Sequence, residues 1–362
     1  MYNSSQAIFN DTNPESESVV SNDFSTALGA LILGLVFLLG VPGNLFIVWS
    51  ILARARQRSV TTFLILNLAC ADGVLMALTI FFIIYLAKQS WVFGEVMCKG
   101  LFYLCNTNMY ASIFTIMLMS LHRLVVVVYP RRVSSRINKK VVIRVIVGMW
   151  ILVMLISIPS LVFRSVREDK DERNKTRLVC APEHTEDRHV RFHYTFETVV
   201  GFIIPYTIII TSYVLILRRL RKTKFHRKVR SENLILAIVV TFGLFWLPYH
   251  VINMMQVASR WYKPDSDGRD TLEHITKSSR VVTSALAFIS SCANPVLYTF
   301  AGKSYIRKNG LAFMARLFEG TSSDQTGKSR MGNKEGVGLG TMDSSSGSSA
   351  QNGRSQIYEN KN

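Results

Sequence analysis

Seven long apolar segments constrain this chain more strongly than any other feature of its sequence. A helix needs about 20 apolar residues to cross the hydrocarbon core of a bilayer. Only 18% of the residues are charged, against roughly 25% in a typical soluble domain. We therefore predict an all-α membrane protein built as a seven-transmembrane helix bundle. The segments are 25–52, 59–87, 96–128, 141–163, 194–217, 232–258 and 275–300.

Basic residues are concentrated in three short connections between these segments, and this predicts the orientation of the chain. Lysine and arginine are enriched in cytoplasmic loops, so we expect a multi-pass plasma-membrane protein with its N-terminus extracellular and its C-terminus cytoplasmic. Because the net charge of +18 does not come from a basic domain, no nucleic-acid partner is expected. The basic residues are Arg54, Arg56 and Arg58 after the first segment, Arg131, Arg132, Arg136, Lys139 and Lys140 after the third, and Arg218, Arg219, Arg221, Lys222, Lys224, Arg227, Lys228 and Arg230 after the fifth.

Polar sequence precedes and follows the predicted bundle, which we assign to residues 25–302. Residues 1–24 are polar and acidic and are expected to form an extracellular N-terminus. Residues 303–319 mix basic and apolar side chains in a pattern typical of a short amphipathic eighth helix on the membrane surface. The Ser- and Gly-rich segment 320–362 is predicted to be a disordered cytoplasmic tail that kinases can reach.

The predicted outer side carries the marks of an oxidising, glycosylating compartment. Glycosylation sequons begin at Asn3, Asn10 and Asn174. Cys98 lies at the outer end of the third segment and Cys180 in the following outer loop, so this pair is predicted to form a disulfide. The other cysteines lie within segments and are interpreted as small packing residues. They are Cys70, Cys105 and Cys292.

Asp72 is an ionisable residue in the middle of the second segment. A charge at this depth costs about 2.5–3.5 kcal/mol on insertion scales, so it indicates a function. The second segment has no lysine or arginine near it, and its partners must come from other helices. Asn44, Ser112 and Asn294 lie at comparable depth. This set indicates either a site for a small cation, which we favour, or a structural polar network.

Prolines interrupt several segments, and one of them lies in an aromatic cluster. Pro248 removes a backbone hydrogen bond and bends its helix. Phe242 and Trp246 lie one turn apart on the same segment, and Tyr249 follows the proline. Large aromatic rings beside a bend are typical of a packing element with two stable arrangements.

These features together resemble the rhodopsin-like G-protein-coupled receptors over about 25–318. The resemblance implies a receptor whose conformational populations shift on ligand binding, with a G protein as partner and no bond chemistry. His122 stands where that family usually has an acidic residue beside the arginine, so the usual restraint on Arg123 is missing. The matching residues are Gly43 and Asn44, Asn67 and Asp72, Cys98 and Cys180, Arg123, Trp150, Pro205, Tyr213, FGLFWLP at 242–248 and NPVLY at 294–298.

The resemblance also implies roles for individual residues. One group would hold an allosteric sodium ion, and no other cofactor is expected. A second would form a toggle beneath the ligand, and a third would regroup on activation. The sodium group is Asp72, Asn44, Ser112 and Asn294; the toggle is Trp246 with Phe242 beside Pro248; the third group is Arg123, Tyr213 and Tyr298.

The outer third of the predicted bundle carries basic residues, which points to an anionic ligand. Arg164 ends the fourth segment and Arg280 lies in the outer turns of the seventh, each continuing an apolar helical face. Guanidinium groups bind carboxylates with two parallel hydrogen bonds. Glu197 is expected to accept hydrogen bonds from ligand hydroxyls or to pair with an arginine. Tyr110 and His250 are expected to add polar contacts.

A closer resemblance supports this ligand class. The stretches RSVTTFLILNLACAD, NMYAS, PSLVFRSV, FHYTFETVVGFIIP, FWLPYHVIN and SALAFISSCANPVLY are similar to the receptors for leukotriene B4. That resemblance implies an anionic hydroxylated eicosanoid as ligand, inhibitory-class G proteins as partners, and a role in leukocyte chemotaxis and inflammation. Receptor kinases and arrestin are expected to act on the tail, and membrane lipids to surround the bundle. One departure is Phe102, one turn inside Cys98, which cannot supply a polar contact.

Three alternative functions can be compared with the sequence. A chemoattractant peptide receptor, for formyl peptides or chemokines, shares the fold, and the acidic N-terminus favours it. A secondary transporter is expected to show two related halves, which the sequence lacks. A membrane enzyme needs a metal or nucleophile cluster, and no such spacing recurs in any segment, so no enzymatic activity is expected.

Overall fold

The computed structural model describes residues 23–54, 60–128, 139–170, 176–222 and 229–301. Within these ranges, seven helices are long and apolar enough to cross a membrane, which confirms the predicted bundle. The helices are α1, Asp23–Trp49 with a π-helical turn Ser50–Arg54; α2, Val60–Lys88; α3, Gly94–Val128; α4, Lys139–Ile156 followed by Ile158–Val162; α5, Asp187–Thr198, a π-helical turn Val199–Ile203 and Ile204–Lys222; α6, Val229–Ser259; and α7, Asp267–Ala301.

The distribution of apolar side chains is that of a protein dissolved in lipid. Leu38, Leu244 and Leu155 are 67%, 65% and 58% exposed. In water, so continuous an apolar surface would drive association, whereas lipid tails cover it in a bilayer. Polar groups such as Asp72 and Asn44 are fully buried instead. The bundle therefore buries polar residues in its interior, whereas apolar residues occur both in the interior and on the outer, lipid-facing surface.

Prolines and one glycine shape the individual helices. Pro248 and Pro295 lie inside α6 and α7. In α4, Ser157 separates the long helix from the short one, whose first turn contains Pro159, because a proline cannot donate the ladder hydrogen bond. Gly43 on α1 lies so close to α7 that a Cβ atom there would come within 2.9 Å of the Pro295 ring. Any larger residue at 43 would push these two helices apart.

A two-stranded antiparallel hairpin covers one end of the bundle, and the sequence analysis did not predict it. The strands are β1, Arg164–Lys170, and β2, Thr176–Pro182. Cys180 on β2 forms the predicted disulfide with Cys98 near the start of α3. The Trp91 backbone N–H donates to the Leu178 carbonyl at 2.7 Å, which adds a second attachment. We refer to this side as the hairpin end.

Four charged residues tie together the hairpin ends of three helices. Asp187 begins α5, Arg260 follows α6, and Arg269 and Glu273 lie in the first turns of α7. Arg260 pairs with Asp187 at 3.3 Å and with Glu273 at 3.2 Å. Arg269 pairs with the same two carboxylates at 3.2 and 3.0 Å. These polar first turns explain why α5 and α7 begin earlier than the apolar segments predicted, at Asp187 and Asp267 instead of residues 194 and 275.

A group of aromatic rings packs between β2 and α5. His184 stacks on Phe163 with ring centroids 5.0 Å apart. Its Nε2 lies 3.1 Å from Nδ1 of His193, so the two imidazoles share a hydrogen bond. Burial lowers the pKa of His184 to about 3, with His193 and the guanidinium of Arg164 acting in the same direction. His184 is therefore neutral at physiological pH.

Several predicted features lie outside the described residues. They are the sequons at Asn3, Asn10 and Asn174, the amphipathic helix at 303–319, the tail at 320–362 and most of the N-terminal segment 1–24. These stay predictions.

Replacing both Cys98 and Cys180 by serine is expected to lower the free energy of unfolding by about 2–4 kcal/mol, because the crosslink restricts the unfolded chain. The thermal midpoint in detergent measures this effect. Cys70→Ser is the matched control, since Cys70 is a free, exposed cysteine. A double variant as stable as the control would show that the hairpin does not depend on the crosslink.

Acidification is expected to destabilise the hairpin end through His184. The pKa of His184 is about 3 in the folded state against 6.5 ordinarily. Between these values the unfolded chain binds more protons, so stability falls as the pH is lowered from neutral to about 5. His184→Gln, which keeps a hydrogen-bonding group, should flatten the pH dependence of the thermal midpoint. His274→Gln at an exposed position of α7 should not, and identical pH profiles for all three proteins would contradict the assignment.

Candidate ligand-binding site

A cavity of about 460 Å³ lies at the hairpin end of the bundle, between the helices and the hairpin. Small-molecule sites in proteins fall in the range of about 300–1,000 Å³ and are mainly apolar with a few placed polar groups. This cavity follows that pattern. Its apolar wall includes Leu33, Leu75, Phe82, Phe102, Met109 and Phe288.

Trp246 lies on the cavity wall and belongs to the predicted toggle. Its indole stacks on Phe242, with centroids 5.6 Å apart. The indole Nε1–H donates to Ser290 Oγ at 2.9 Å, which links α6 to α7. A molecule in the cavity can therefore touch a side chain that connects two helices close to Pro248.

Arg164 lines the cavity as predicted, but its place in the fold differs from the prediction. It is the first residue of β1 and does not continue a helical face. The guanidinium carbon lies 3.7 Å from the centroid of the Phe102 ring. Its Nε atom is buried without a hydrogen-bond partner among the described residues. Burial lowers the pKa of Arg164, but a guanidinium stays cationic at neutral pH.

Arg280 reaches the same cavity from α7. Its Nη1 donates to the Asn253 side-chain oxygen, and its guanidinium carbon lies 5.1 Å from the Tyr194 ring and 5.8 Å from the Tyr249 ring. Nη2 is buried without a hydrogen-bond partner in the part of the chain that the structure describes. Arg280 therefore keeps a donor for a further acceptor.

Glu197 on α5 is 3% exposed, and two amides hold its carboxylate. Asn106 on α3 donates to Oε2 at 2.9 Å, and Asn253 on α6 donates to Oε1 at 2.9 Å. Since Asn253 also accepts from Arg280, it bridges the carboxylate and the guanidinium. Asn253 therefore stands between the acid and the arginine, and Glu197 forms no salt bridge with an arginine among the described residues. Its contact with ligand hydroxyls stays a prediction.

Arg164 and Arg280 give the cavity its electrostatic character. Within the described ranges, neither forms a salt bridge with a carboxylate. The carboxylate of Asp187 is paired with Arg260 and Arg269. Two partly buried arginines, each with a buried nitrogen that lacks a partner among the described residues, lie beside an apolar wall and favour a ligand that combines an anionic head with an apolar body.

Two predicted contact residues are not among those that line the cavity. His250 is 2% exposed, and its Nδ1 shares a hydrogen bond of 3.2 Å with Thr198 Oγ1 while its ring stacks on Phe202. Tyr110 is 1% exposed and lies against Gly201, the glycine of the π-helical turn in α5. Both residues stand behind the wall and support the packing of α5.

Two residues of the predicted sodium site, Ser112 and Asn294, hydrogen-bond to Asp72, which is completely buried. Asn294 donates to Asp72 Oδ2 at 2.8 Å, and Ser112 donates to Oδ1 at 3.2 Å. Asn108, which the sequence analysis did not single out, donates to Oδ1 at 3.3 Å. Asn44 instead donates to the Gly40 and Ser291 carbonyls, and its own Oδ1 is buried without a partner among the described residues. This oxygen-rich set fits a small hard cation.

The residues predicted to regroup on activation lie at the other end of the bundle. Arg123 is in the last turns of α3, next to His122. Tyr213 is 8% exposed on α5. The side chain of Tyr298 lies outside the described part of the structure. The regrouping of this set on activation stays a prediction.

Sequence reasoning missed the three asparagines that organise these sites and the ring of Tyr249 on the cavity wall. Asn253 lies seven residues after Trp246, hence on the same face of α6. Asn108 lies four residues before Ser112, on the same face of α3. These helical spacings are the signal that could have identified them. Asn106 has no comparable sequence signal, since its role depends on the carboxylate of Glu197 from another helix.

Comparison with known proteins gives the family. Residues 43–298 match the family described as 7 transmembrane receptor (rhodopsin family). The chain is 38% identical to human leukotriene B4 receptor 1 over 324 residues, covering 89% of this chain and 90% of the relative. It is 34% identical to human leukotriene B4 receptor 2 over 328 residues, covering 89% of each chain.

A more distant relative is the C3a anaphylatoxin chemotactic receptor of Oncorhynchus mykiss, 30% identical over 307 residues that cover 82% of this chain and 79% of the relative. Residues 43–298, which match the family, include α2 to α6 and most of α7. The family consists of receptors and not of enzymes. This chain, with its seven membrane-spanning helices, belongs to the rhodopsin family of seven-transmembrane receptors.

Proposed function

We propose that this protein is a plasma-membrane receptor for leukotriene B4, an oxidised arachidonate with one carboxylate and two hydroxyl groups. The observation that carries the proposal is the pair of arginines, Arg164 and Arg280, on the wall of a largely apolar cavity with no carboxylate paired to either among the described residues. The names of the relatives, leukotriene B4 receptors 1 and 2, agree with the ligand class that this chemistry favours.

The polar groups of the cavity suggest how such a ligand binds. Its carboxylate takes the spare donors of Arg164 and Arg280. Its hydroxyl groups lie within the reach of the Glu197 carboxylate, which is already fixed by two amides. The hydrocarbon chain packs on the aromatic wall formed by residues such as Phe82 and Phe288. Each part of the ligand thus meets a complementary surface.

Binding transmits a signal by shifting the populations of two conformations. The ligand contacts Trp246, whose indole joins α6 to Ser290 on α7. Movement of α6 about the bend at Pro248 opens the end of the bundle opposite the hairpin to a heterotrimeric G protein of the inhibitory class. We place the N-terminus outside the cell on the basis of the basic loops. Receptor kinases and arrestin then act on the Ser-rich tail.

We also propose that Asp72 binds a sodium ion that stabilises the resting conformation. Asp72, Ser112 and Asn44 supply oxygen atoms of the kind that hard cations bind, and the buried Oδ1 of Asn44 has no other partner among the described residues. The ion would offset the cost of a buried carboxylate in the membrane.

Arg280→Ala and Arg164→Ala are each expected to weaken leukotriene B4 binding by about 1.5–3 kcal/mol, the contribution of a hydrogen bond to a charged group. Radioligand binding to membranes measures the loss. Arg269→Ala is a matched control, because this arginine pairs with Asp187 and Glu273.

A G-protein activation assay with a lipid-mediator panel and a chemoattractant-peptide panel identifies the ligand class. The proposal would be refuted if the receptor responded to a peptide and if neither Arg280→Ala nor Arg164→Ala changed its affinity for leukotriene B4.

Sodium is expected to raise the thermal midpoint of the ligand-free receptor, because an ion that binds only the folded state stabilises it by mass action. The comparison uses sodium chloride against choline chloride at equal ionic strength. Asp72→Asn should abolish the difference, since a neutral amide lacks the charge that holds the ion. Glu95→Gln, at an exposed pair with Lys99, is the control. A sodium effect that persists in Asp72→Asn would rule out this site.

A further inference from the structure

Phe102 is a cavity residue to which the sequence analysis assigned no polar role, and it contacts the Arg164 guanidinium. It lies on α3, one turn after the disulfide-bonded Cys98. The guanidinium carbon of Arg164 is 3.7 Å from the centre of the Phe102 ring. Of the arginine contacts with aromatic rings in the described ranges, this one is the shortest.

The ring of Phe102 is itself held in place. It packs edge to face on Phe82, with centroids 5.2 Å apart and planes at 75°. Phe82 is 8% exposed and belongs to the buried cluster that also contains Cys98 and Cys180. Phe102 is therefore a fixed surface, with one side against the core and the other available to Arg164.

This contact stabilises a guanidinium that forms no salt bridge with any carboxylate in the part of the chain that the structure describes. An aromatic face is electronegative and attracts a cation, most strongly where water is excluded. Guanidinium groups stack on aromatic faces, and their N–H donors lie in their own plane, so the ring consumes none of these donors. A carboxylate in place of Phe102 would neutralise the arginine and compete with an anionic ligand. A phenyl ring orients the guanidinium and leaves its hydrogen bonds for the ligand.

We propose that Phe102 is a positioning residue that sets the preference of this receptor for an acid over the corresponding neutral lipid, by holding the Arg164 guanidinium against its ring. The inference rests on the proposed function for the identity of the ligand. It adds a specificity determinant that acts through Arg164 without a polar contact of its own. An aliphatic residue at 102 would fill the space but would lack the electronegative face.

The test compares leukotriene B4 with its methyl ester, which has the same chain and hydroxyl groups but no negative charge. The dissociation constant of the ester divided by that of the acid isolates the contribution of the carboxylate. We call this quotient the acid preference ratio. Phe102→Leu is expected to reduce this ratio by about 2- to 30-fold, the range of one cation–π contact. Phe102→Tyr keeps the ring face and should restore the wild-type ratio.

Phe288→Leu is the matched control for lost packing. Phe288 also lines the cavity and contacts Phe82 at 6.1 Å, and no cation contact involves it within the described ranges. This variant should weaken the acid and the ester by the same factor and leave the ratio unchanged. If Phe102→Leu also weakens the acid and the ester by the same factor, so that the ratio is unchanged, the inference is overturned.

A measurement without ligand separates this inference from the proposed function. Phe102→Leu, Arg164→Gln and the double variant form a cycle in which the thermal midpoint of the ligand-free receptor is measured. If the two residues interact, the double variant loses less than the sum of the single losses. Additive losses would refute the contact even if leukotriene B4 binds. A wild-type receptor that binds neither the acid nor its ester would refute the proposed function, and the cycle would still decide the role of Phe102.

Discussion

The bilayer cannot hydrogen-bond to the protein, and this constraint governs where every polar group of the chain lies. Backbone groups are satisfied within helices, and polar side chains must find partners inside the bundle. The amide of Asn67 illustrates the result, since it accepts from the Trp150 indole at 2.8 Å and donates to Thr115 at 3.0 Å. Three helices are thereby joined by one side chain. Asp72 joins α2, α3 and α7 in the same way.

In the cavity, a carboxylate is satisfied while two arginines each keep a buried nitrogen without a partner among the described residues. Glu197 has two amide donors, and Asn253 insulates it from Arg280 by donating to one and accepting from the other. The carboxylate is therefore stable without neutralising the arginine. A buried cation without a counter-charge is costly, and at Arg164 the Phe102 ring and at Arg280 two tyrosine rings reduce that cost only in part. The remaining cost is what an anionic ligand relieves when it binds.

The helices could be predicted from sequence because a membrane span is defined by length and hydropathy, which are local properties. The hairpin could not, since β1 is largely charged, β2 is a short segment of mixed polarity, and hydropathy does not reveal their pairing, such as Val166 with Cys180. This is also why Arg164 was assigned to a helical face. Asp72 was predicted because an acid in a span is conspicuous. The asparagines that complete the two polar sites are neutral, so helical spacing is the sequence signal for Asn108 and Asn253, and Asn106 has none.

The cavity and the Asp72 site are joined by two consecutive residues of α7. Ser290 accepts the hydrogen bond of the Trp246 indole. Ser291 lines the cavity and hydrogen-bonds to Asp72. A ligand that contacts the indole and the cation proposed at Asp72 would therefore act on the same helical turn. Because linkage is reciprocal, a cation that favours one arrangement of this turn must weaken any ligand that favours the other. Ser291 thus belongs to both the cavity wall and the Asp72 site.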